Sequence, residues 1–205
     1  MNRLPTPPLL VISDRTQARR PLIEIATAVF AGGCRWFSLR EKDLVSAERH
    51  KLLAELVALG RQHGATITAH DDLDAVVATG AGGVHLPSDG DPAAARTRLP
   101  EGLIGVSAHR AAEAAALIEA GADYVTISPV FLTDSKPGYG PALGLGGLAE
   151  AVAAVKGPVV ALAGISPANA RSCLDAGAAG IAVMGEIMRA DDPEATVRTL
   201  IRALE

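Results

Sequence analysis

Residues 103–127, LIGVSAHRAAEAAALIEAGADYVTI, contain one complete strand–helix–strand unit. A short apolar run, Leu103–Ser107, precedes an alanine-rich segment with helical spacing, Ala111–Ala120, and a second apolar run follows at Tyr124–Ile127. Continuous apolar runs, in contrast to alternating ones, are typical of parallel strands that are covered on both faces. Gly121 after the helical segment is the residue type that most often ends a helix in a left-handed conformation. The stretch therefore predicts a parallel crossover unit.

The same unit recurs along the whole chain. We predict eight strands, at Leu9–Ser13, Arg35–Arg40, Thr66–His70, Gly83–Leu86, Leu103–Ser107, Tyr124–Ile127, Val159–Leu162 and Ile181–Met184. We predict helices between and after them, at Leu22–Ala31, Ala47–Gln62, Leu73–Thr79, Pro92–Thr97, Ala111–Ala120, Leu148–Val155, Pro167–Ala176 and Pro193–Leu204. Eight consecutive units favour an α/β fold of the closed (β/α)8 TIM-barrel type, formed by residues 1–205 as one compact domain. An open doubly wound sheet is the alternative.

Composition excludes several classes of function. The 205 residues carry a formal net charge of -4 with dispersed Lys and Arg, so no basic patch indicates nucleic-acid binding. No run approaches the roughly 20 apolar residues of a membrane helix, and no secretory leader is evident at the N-terminus. The two cysteines, Cys34 and Cys173, have no metal-site spacing and suit a reducing compartment. We expect a cytoplasmic protein that binds neither nucleic acid nor membrane.

One connection is much longer than the others: residues 127–147, ISPVFLTDSKPGYGPALGLGG. It follows the sixth predicted strand and contains Thr133, Ser135 and Lys136 among prolines and glycines. Long ordered loops in compact domains are usually functional, although a surface insertion without function is the alternative. In a TIM barrel this loop leaves the carboxyl end of a strand, where active sites of the fold lie.

Three cations are expected at that same rim, since Arg40 and Lys42 follow the second strand and Lys136 follows the sixth. Cations from separate strands suit a substrate with more than one phosphate, because Arg binds phosphate oxygens as a fork and Lys acts as a compact charge. Solvated surface charges are the alternative. Gly164 and Gly185 follow the last two strands and suit backbone N–H groups that bind a second phosphate, as is common in this fold.

Acidic residues after the third and fourth strands predict a magnesium site. Asp71 and Asp89 are the candidates, because Mg²⁺ prefers one or two carboxylates together with substrate phosphates. Capping of a helix is the alternative for Asp71, and it is the role expected of Asp91 before Pro92. His70, His85 and His109 could titrate near neutral pH, but the sequence GVHL around His85 is typical of a packed barrel residue.

These motifs, taken in order, resemble those of the thiamine phosphate synthase and thiazole tautomerase (TenI-like) superfamily over essentially the whole chain. The resemblance is carried by FSLREK at 37–42, HDD at 70–72, GVHL at 83–86, GVSAH at 105–109, DY at 123–124, PVFLTDSK at 129–136, ALAGI at 161–165 and IAVM at 181–184. In the synthase, the resemblance implies, hydroxymethylpyrimidine pyrophosphate loses pyrophosphate and the nitrogen of thiazole phosphate captures the resulting cation.

The resemblance also implies roles for individual residues. Pyrophosphate would be held by Arg40, Lys42, Ser107 and Lys136, and Mg²⁺ by Asp71. The thiazole phosphate would be bordered by Thr133 and Ser135 and held by backbone N–H groups of Gly164, Met184 and Gly185. The expected partners are small phosphorylated substrates, and a homodimer is compatible with the sequence.

The chain departs from the synthase pattern at four positions. Ser38 and His70 are expected at the substrate where the synthase has glutamine and asparagine, and Ala163 replaces the first of two glycines. Gly90 stands where the second magnesium aspartate is expected, next to Asp89. Two features are closer to the tautomerase branch, namely residues 86–88 and 181–184, yet Pro129 replaces its loop histidine. Three hypotheses follow: a synthase, a tautomerase, or a phosphate-ligand binder without catalytic activity.

Overall fold

Eight parallel strands close into a barrel in chain order in the computed structural model, which describes residues 3–133 and 140–205. The strands are β1 Leu9–Ile12, β2 Trp36–Leu39, β3 Thr66–His70, β4 Gly83–Leu86, β5 Leu103–Ala108, β6 Tyr124–Ile127, β7 Val159–Leu162 and β8 Gly180–Val183. Pairing of β1 with β8, in the register Leu9–Ile181, completes the circle. The predicted (β/α)8 barrel is thus confirmed, and the open-sheet alternative is wrong.

Helices follow every strand and cover the outside of the barrel. They are α1 Leu22–Ala31, α2 Ser46–Gln62, α3 Leu73–Thr79, α4 Pro92–Arg98, α5 Ala111–Glu119, α6 Gly144–Ala154, α7 Ala170–Asp175, α8 Gly185–Met188 and α9 Pro193–Leu204. No helix of the described residues is long and apolar enough to cross a membrane.

Two apolar clusters result from the alternation of side chains along the strands. Leu9 and Val11 belong to the larger cluster, which lies between the barrel and the helices. Leu10 and Ile12 belong to the smaller cluster, which fills the lower barrel interior and includes Trp36, Tyr124, Val160 and Ala182. The ring of Trp36 meets that of Tyr124 edge-on at a centroid distance of 4.9 Å. Both cysteines are free and buried.

Three aspartates cap helices through their side chains. Asp91 accepts from the N–H groups of Ala93 and Ala94, which confirms its predicted role, and Asp192 accepts from that of Ala195. Asp72, and not Asp71, caps α3. The capping alternative for Asp71 is therefore wrong, and its carboxylate is left for another function.

Two helix starts differ from the prediction by more than one residue. Helix α6 begins at Gly144 rather than Leu148, because N–H groups of Leu143 and Gly144 are bound by Pro129 and Val130 carbonyls at 2.9 Å each. Helix α7 begins at Ala170 rather than Pro167. There, Asn169 Oδ1 accepts from the N–H of Ser166 at 2.9 Å, and this turn takes the place of the predicted first helical turn. The short helix α8 was not predicted.

Candidate active site

A cavity of about 250 Å³ opens at the carboxyl ends of β1, β2, β6, β7 and β8. The structure brings five of the predicted site residues together in its wall, namely Arg40, Thr133, Gly164, Met184 and Gly185. Further wall residues were not predicted: Ile12, Ser128, Leu132, Leu162, Ala163, Ile165, Ser166, Ala182, Val183, Glu186 and Arg189. The position agrees with the rule that TIM-barrel sites lie at this face.

The loop after β7 forms one wall of the cavity through two residues with left-handed backbone. Ala163 has φ 82° and Gly164 has φ 65°. A Cβ atom on Gly164 would lie 2.4 Å from the carbonyl oxygen of Leu132, so only glycine fits against the loop after β6. Asn169 fixes the turn from behind, since its Nδ2 donates to the carbonyl of Gly164 at 2.9 Å. The loop therefore presents its backbone to the cavity in a fixed conformation.

The opposite wall begins where β8 passes into α8. Gly185 is buried and opens this helix, and the N–H groups of a first helical turn have no acceptor within the helix. Gly164 and Gly185 thus line one cavity with backbone. Polar N–H groups of this kind suit a phosphate.

Arg40 is held at the cavity by its own backbone. Its N–H donates to Ser13 Oγ at 2.8 Å, which ties the end of β2 to the end of β1. The next residue, Glu41, is only 2% exposed and accepts from the N–H of Arg15 through both carboxylate oxygens, at 3.1 and 3.0 Å. Burial raises the pKa of Glu41, and the nearby Asp14 adds to the rise. Lys42 is exposed and is absent from the described cavity wall.

The β3–β5 side of the barrel carries a polar network instead of a cavity wall. His85 is 4% exposed, and its Nε2 lies 3.0 Å from Ser107 Oγ, while its Nδ1 lies 3.0 Å from the Tyr124 hydroxyl. Burial and, secondarily, the Arg40 guanidinium lower the pKa of His85 to about 4. The imidazole is therefore neutral at physiological pH, and the prediction that His85 is a packed barrel residue is confirmed.

Two other predicted residues lie near this network. His70 ends β3 with its ring stacked on that of His85 at a centroid distance of 5.5 Å. Ser38 pairs with Thr68 in the sheet and is 2% exposed inside the barrel. Neither belongs to the described cavity wall. Ser135 and Lys136 lie outside the described residues.

Asp71 and Asp89 are the acids that the sequence predicts as magnesium ligands. Both are exposed, and within residues 3–133 and 140–205 neither carboxylate has a hydrogen-bond or ion-pair partner. The N–H of Asp71 donates to the carbonyl of His85 at 2.9 Å, which fixes its position beside β4. A Cβ atom on Gly90 would lie 2.6 Å from that of Leu86, so a second aspartate has no room there.

An exposed carboxylate without a partner is compatible with a magnesium ion that is bound mainly by substrate phosphates. The described residues contain no group of three His, Cys, Asp or Glu side chains that could hold a metal by themselves. Mg²⁺ in phosphate-transfer sites usually needs only one or two carboxylates besides the phosphates and water. One or both of the two free carboxylates satisfy that requirement.

Two residues that sequence reasoning did not assign to the site are Arg189 and Tyr124. Arg189 lines the cavity from the end of α8 and donates through Nη1 to Gln17 Oε1. The sequence signal for Arg189 was weak, because it follows a helix of only four residues. Tyr124 lies at the start of β6, at the opposite end of that strand from the long loop of residues 127–147. Its signal was Gly105, its partner in the sheet register, where a Cβ atom would lie 2.0 Å from Tyr124 Cζ.

Comparisons with known proteins agree on one family. The family model described as thiamine monophosphate synthase matches residues 9–187. A putative thiamine-phosphate synthase of Geobacter sulfurreducens is 42% identical over 199 residues, which cover 96% of this chain and 93% of that protein. A thiamine-phosphate synthase of Roseiflexus sp. is 39% identical over 193 residues, covering 93% of this chain and 82% of that protein.

A solved structure extends the likeness to the backbone. Thiamine phosphate pyrophosphorylase from Pyrococcus furiosus superposes with a TM-score of 0.86 at 33% identity, covering 96% of this chain and 94% of that one. Barrel, motifs and matched length thus point the same way: the chain belongs to the thiamine monophosphate synthase family.

Proposed function

We propose that this protein is a transferase that joins hydroxymethylpyrimidine pyrophosphate to thiazole phosphate in thiamine biosynthesis, releasing pyrophosphate. One observation carries the proposal beyond family membership: Arg40 and the backbone of Gly164 and Gly185 line a single cavity at the carboxyl face of the barrel. Such a cavity offers a fixed cation and a backbone cup for phosphate side by side. A reaction with one diphosphate and one monophosphate substrate needs both.

The two substrates divide the mouth of the barrel between them. Backbone N–H groups of Gly164, Met184 and Gly185 hold the thiazole phosphate, with Thr133 and Ser135 beside it. Arg40, Lys42, Ser107 and Lys136 hold the pyrophosphate, with Ser38 and His70 bordering the pyrimidine side. Buried Glu41 supports this arrangement, because its bonds to Arg15 fix the loops from which Arg40 projects.

Catalysis in this scheme is mainly electrostatic. As the bond between the pyrimidine methylene carbon and pyrophosphate breaks, negative charge grows on the leaving group, and fixed cations stabilise that charge more strongly than they stabilise the bound substrate. The thiazole nitrogen then forms the new bond with the methylene carbon. Asp71 and Asp89 would hold Mg²⁺, which when bound neutralises charge on the pyrophosphate oxygens. No general base is required for the dissociative step.

The proposal extends to the partners and the location of the protein. The partners are small phosphorylated molecules, and we place the reaction in the cytoplasm, with a homodimer as the proposed assembly and residues 1–205 as one domain. The net charge of -4 gives no support for nucleic-acid binding.

The test is formation of thiamine phosphate by the purified protein from the two substrates and Mg²⁺, with a chelator as control. Arg40→Met should lower kcat/KM at least about a hundredfold, because a charge-assisted contact to the leaving group is lost. Arg98→Met is the matched control, since Arg98 is exposed and pairs with Asp74 on α3, and it should keep full activity.

Other outcomes would replace the proposal. Isomerisation of a thiazole phosphate, unaffected by chelator, would establish the tautomerase hypothesis. Binding of thiazole phosphate without turnover of either substrate set would establish a non-catalytic binder. Equal activity of wild type and Arg40→Met would show that this cavity is not the catalytic site.

A further inference from the structure

The hydroxyl of Tyr124 has one hydrogen-bond partner in the described structure, Nδ1 of His85 at 3.0 Å. Tyr124 is fully buried. Burial raises the pKa of its phenol, and Asp123 adds to the rise, so the hydroxyl keeps its proton. A buried hydroxyl proton without an acceptor costs free energy of about 1–3 kcal/mol. Nδ1 of His85 must therefore be the acceptor and carries no proton.

This assignment fixes the other ring nitrogen. A neutral imidazole has one N–H, so the proton lies on Nε2. Nε2 is 3.0 Å from Ser107 Oγ, and the N–H therefore donates to that oxygen. A protonated ring would place an N–H against the Tyr124 hydroxyl as well, which leaves the phenol proton with no acceptor. Hydrogen-bond accounting alone thus selects one tautomer.

Besides Ser107, only Thr126 among the described residues could form a hydrogen bond with Nε2 of His85 and so influence where the ring proton lies. Its Oγ1 lies 3.4 Å from Nε2, beyond the usual range for a hydrogen bond from a hydroxyl, whereas the Tyr124 contact is 3.0 Å. A phenol is also a stronger donor than an aliphatic hydroxyl. The Tyr124 bond therefore decides which nitrogen carries the proton.

The consequence falls on Ser107 at the mouth of the barrel. Because its oxygen accepts from His85, its own O–H cannot point at the ring and is directed elsewhere. Ser107 faces the barrel axis at the carboxyl end of β5, one residue from the end of that strand, and is half-buried. Within the described residues this hydroxyl has no hydrogen-bond partner other than His85, so its proton is left for a ligand.

We propose that Tyr124 and His85 are positioning residues that fix the polarity of the Ser107 hydroxyl, so that the O–H of Ser107 donates a hydrogen bond to an oxygen of the leaving pyrophosphate. This inference rests on the proposed function for the identity of the acceptor, while the tautomer of His85 does not depend on it. Gly105 supports the arrangement, because any side chain there would occupy the space of the Tyr124 ring, 2.0 Å from Cζ.

The tautomer is measured directly by NMR on the full chain with ¹⁵N-labelled histidine. Correlations between ring carbon-bound protons and both nitrogens distinguish the two tautomers, and His85→Gln identifies the signals by their disappearance. We expect a protonated Nε2 and an unprotonated Nδ1 in the free protein. A proton on Nδ1 would overturn the proposal whether or not the protein makes thiamine phosphate.

Kinetics then test whether Tyr124 and His85 act through Ser107. Tyr124→Phe keeps the ring against Trp36 and removes only the hydroxyl, and it should lower kcat about tenfold with little change in either KM. In a Ser107→Ala background the same substitution should have no further effect. Thr126→Val, which removes the 3.4 Å contact, is the matched control and should retain wild-type kcat.

The outcomes separate the two proposals. If the effects of Tyr124→Phe and Ser107→Ala on kcat multiply in the double variant, the phenol does not act through Ser107, and the proposed positioning role is overturned. A wild-type protein that makes no thiamine phosphate would refute the proposed function. In that case, calorimetry with inorganic pyrophosphate and Mg²⁺ tests the positioning role. Tyr124→Phe should bind pyrophosphate more weakly than wild type, and Thr126→Val should bind it equally well.

Discussion

Nε of Arg49 on α2 donates to Oδ2 of Asp72 at 2.7 Å, and the other oxygen of that carboxylate accepts from the N–H of Ala75 at 2.9 Å. Burial by itself would raise the pKa of Asp72, but the bonds from Ala75 and Arg49 outweigh it, and the net shift is downward. Asp72 thus holds α2 and α3 together while its chain neighbour, Asp71, stays exposed at the mouth. Of these adjacent aspartates, Asp72 stabilises the fold, and Asp71 is the proposed magnesium ligand.

Asp72→Asn should lower the free energy of unfolding by about 1–2 kcal/mol at pH 7, since it retains a capping oxygen but loses the charge that Arg49 binds. The folded pKa lies below the unfolded value of about 3.9, so the contribution is present above pH 4 and is lost as pH falls through the folded pKa. Urea unfolding of wild type and variant should therefore converge in strong acid. Any effect of His85 on acid stability is common to both proteins.

Asp74→Asn is the control for this prediction. Asp74 pairs with Arg98, but the two side chains are 77% and 50% exposed, so the pair should contribute less than about 0.5 kcal/mol. Equal losses in the two variants, or a loss for Asp72→Asn that does not change with pH, would contradict the role of the buried ion pair.

Asp71→Asn should raise the Mg²⁺ concentration needed for half-maximal activity about tenfold, because one of two free carboxylates is removed from a site without a third. Titration of activity with Mg²⁺ measures this. Asp91→Asn retains the oxygen that caps α4 and should leave the Mg²⁺ requirement unchanged. An unchanged requirement in Asp71→Asn would assign the metal to other residues.

Ala163→Gly should stabilise the protein by about 0.5–1 kcal/mol. Ala163 has φ 82°, where a Cβ atom costs about 1–2 kcal/mol, and the added flexibility of the unfolded chain offsets part of the gain. Thermal unfolding measures the difference. Ala116→Gly, at an exposed position within α5, should instead destabilise by about 1 kcal/mol. A loss of stability in Ala163→Gly would mean that other contacts of the methyl group outweigh the strain.

The barrel could be predicted because local patterns repeat. Each strand is a short apolar run, and the aspartate–proline helix start predicted at Asp91 has its cap in place. The predicted start of helix α6, Leu148, lies four residues after the observed start, because glycines such as Gly144, Gly146 and Gly147 have poor helix propensity. Its first turn depends on hydrogen bonds to carbonyl groups of the loop after β6. These groups are close in space but more than ten residues away in the sequence, so the local sequence pattern does not reveal them.

The candidate site could be predicted only where it depends on strand ends. Arg40, Gly164 and Gly185 follow strands directly and were found. The His85–Tyr124 contact joins residues 39 positions apart, so it requires the sheet register, which periodicity does not provide. Asp71 and Asp72 could not be distinguished by sequence, because aspartate is a preferred capping residue at either position and only backbone geometry selects Asp72 as the cap of α3.

Gly105→Ala should destabilise the protein by about 3 kcal/mol, because its Cβ would lie 2.0 Å from Cζ of Tyr124 inside a closely packed barrel. The ring cannot move away freely, since Trp36 meets it edge-on at 4.9 Å. Gly146→Ala is the matched control: its Cβ has no atom within 4 Å, and it should stabilise α6 by about 0.5–1 kcal/mol. Urea unfolding measures both changes. A Gly105→Ala protein as stable as wild type would mean that the Tyr124 ring has room to shift, and the phenol would then leave Nδ1 of His85 and release the Ser107 hydroxyl.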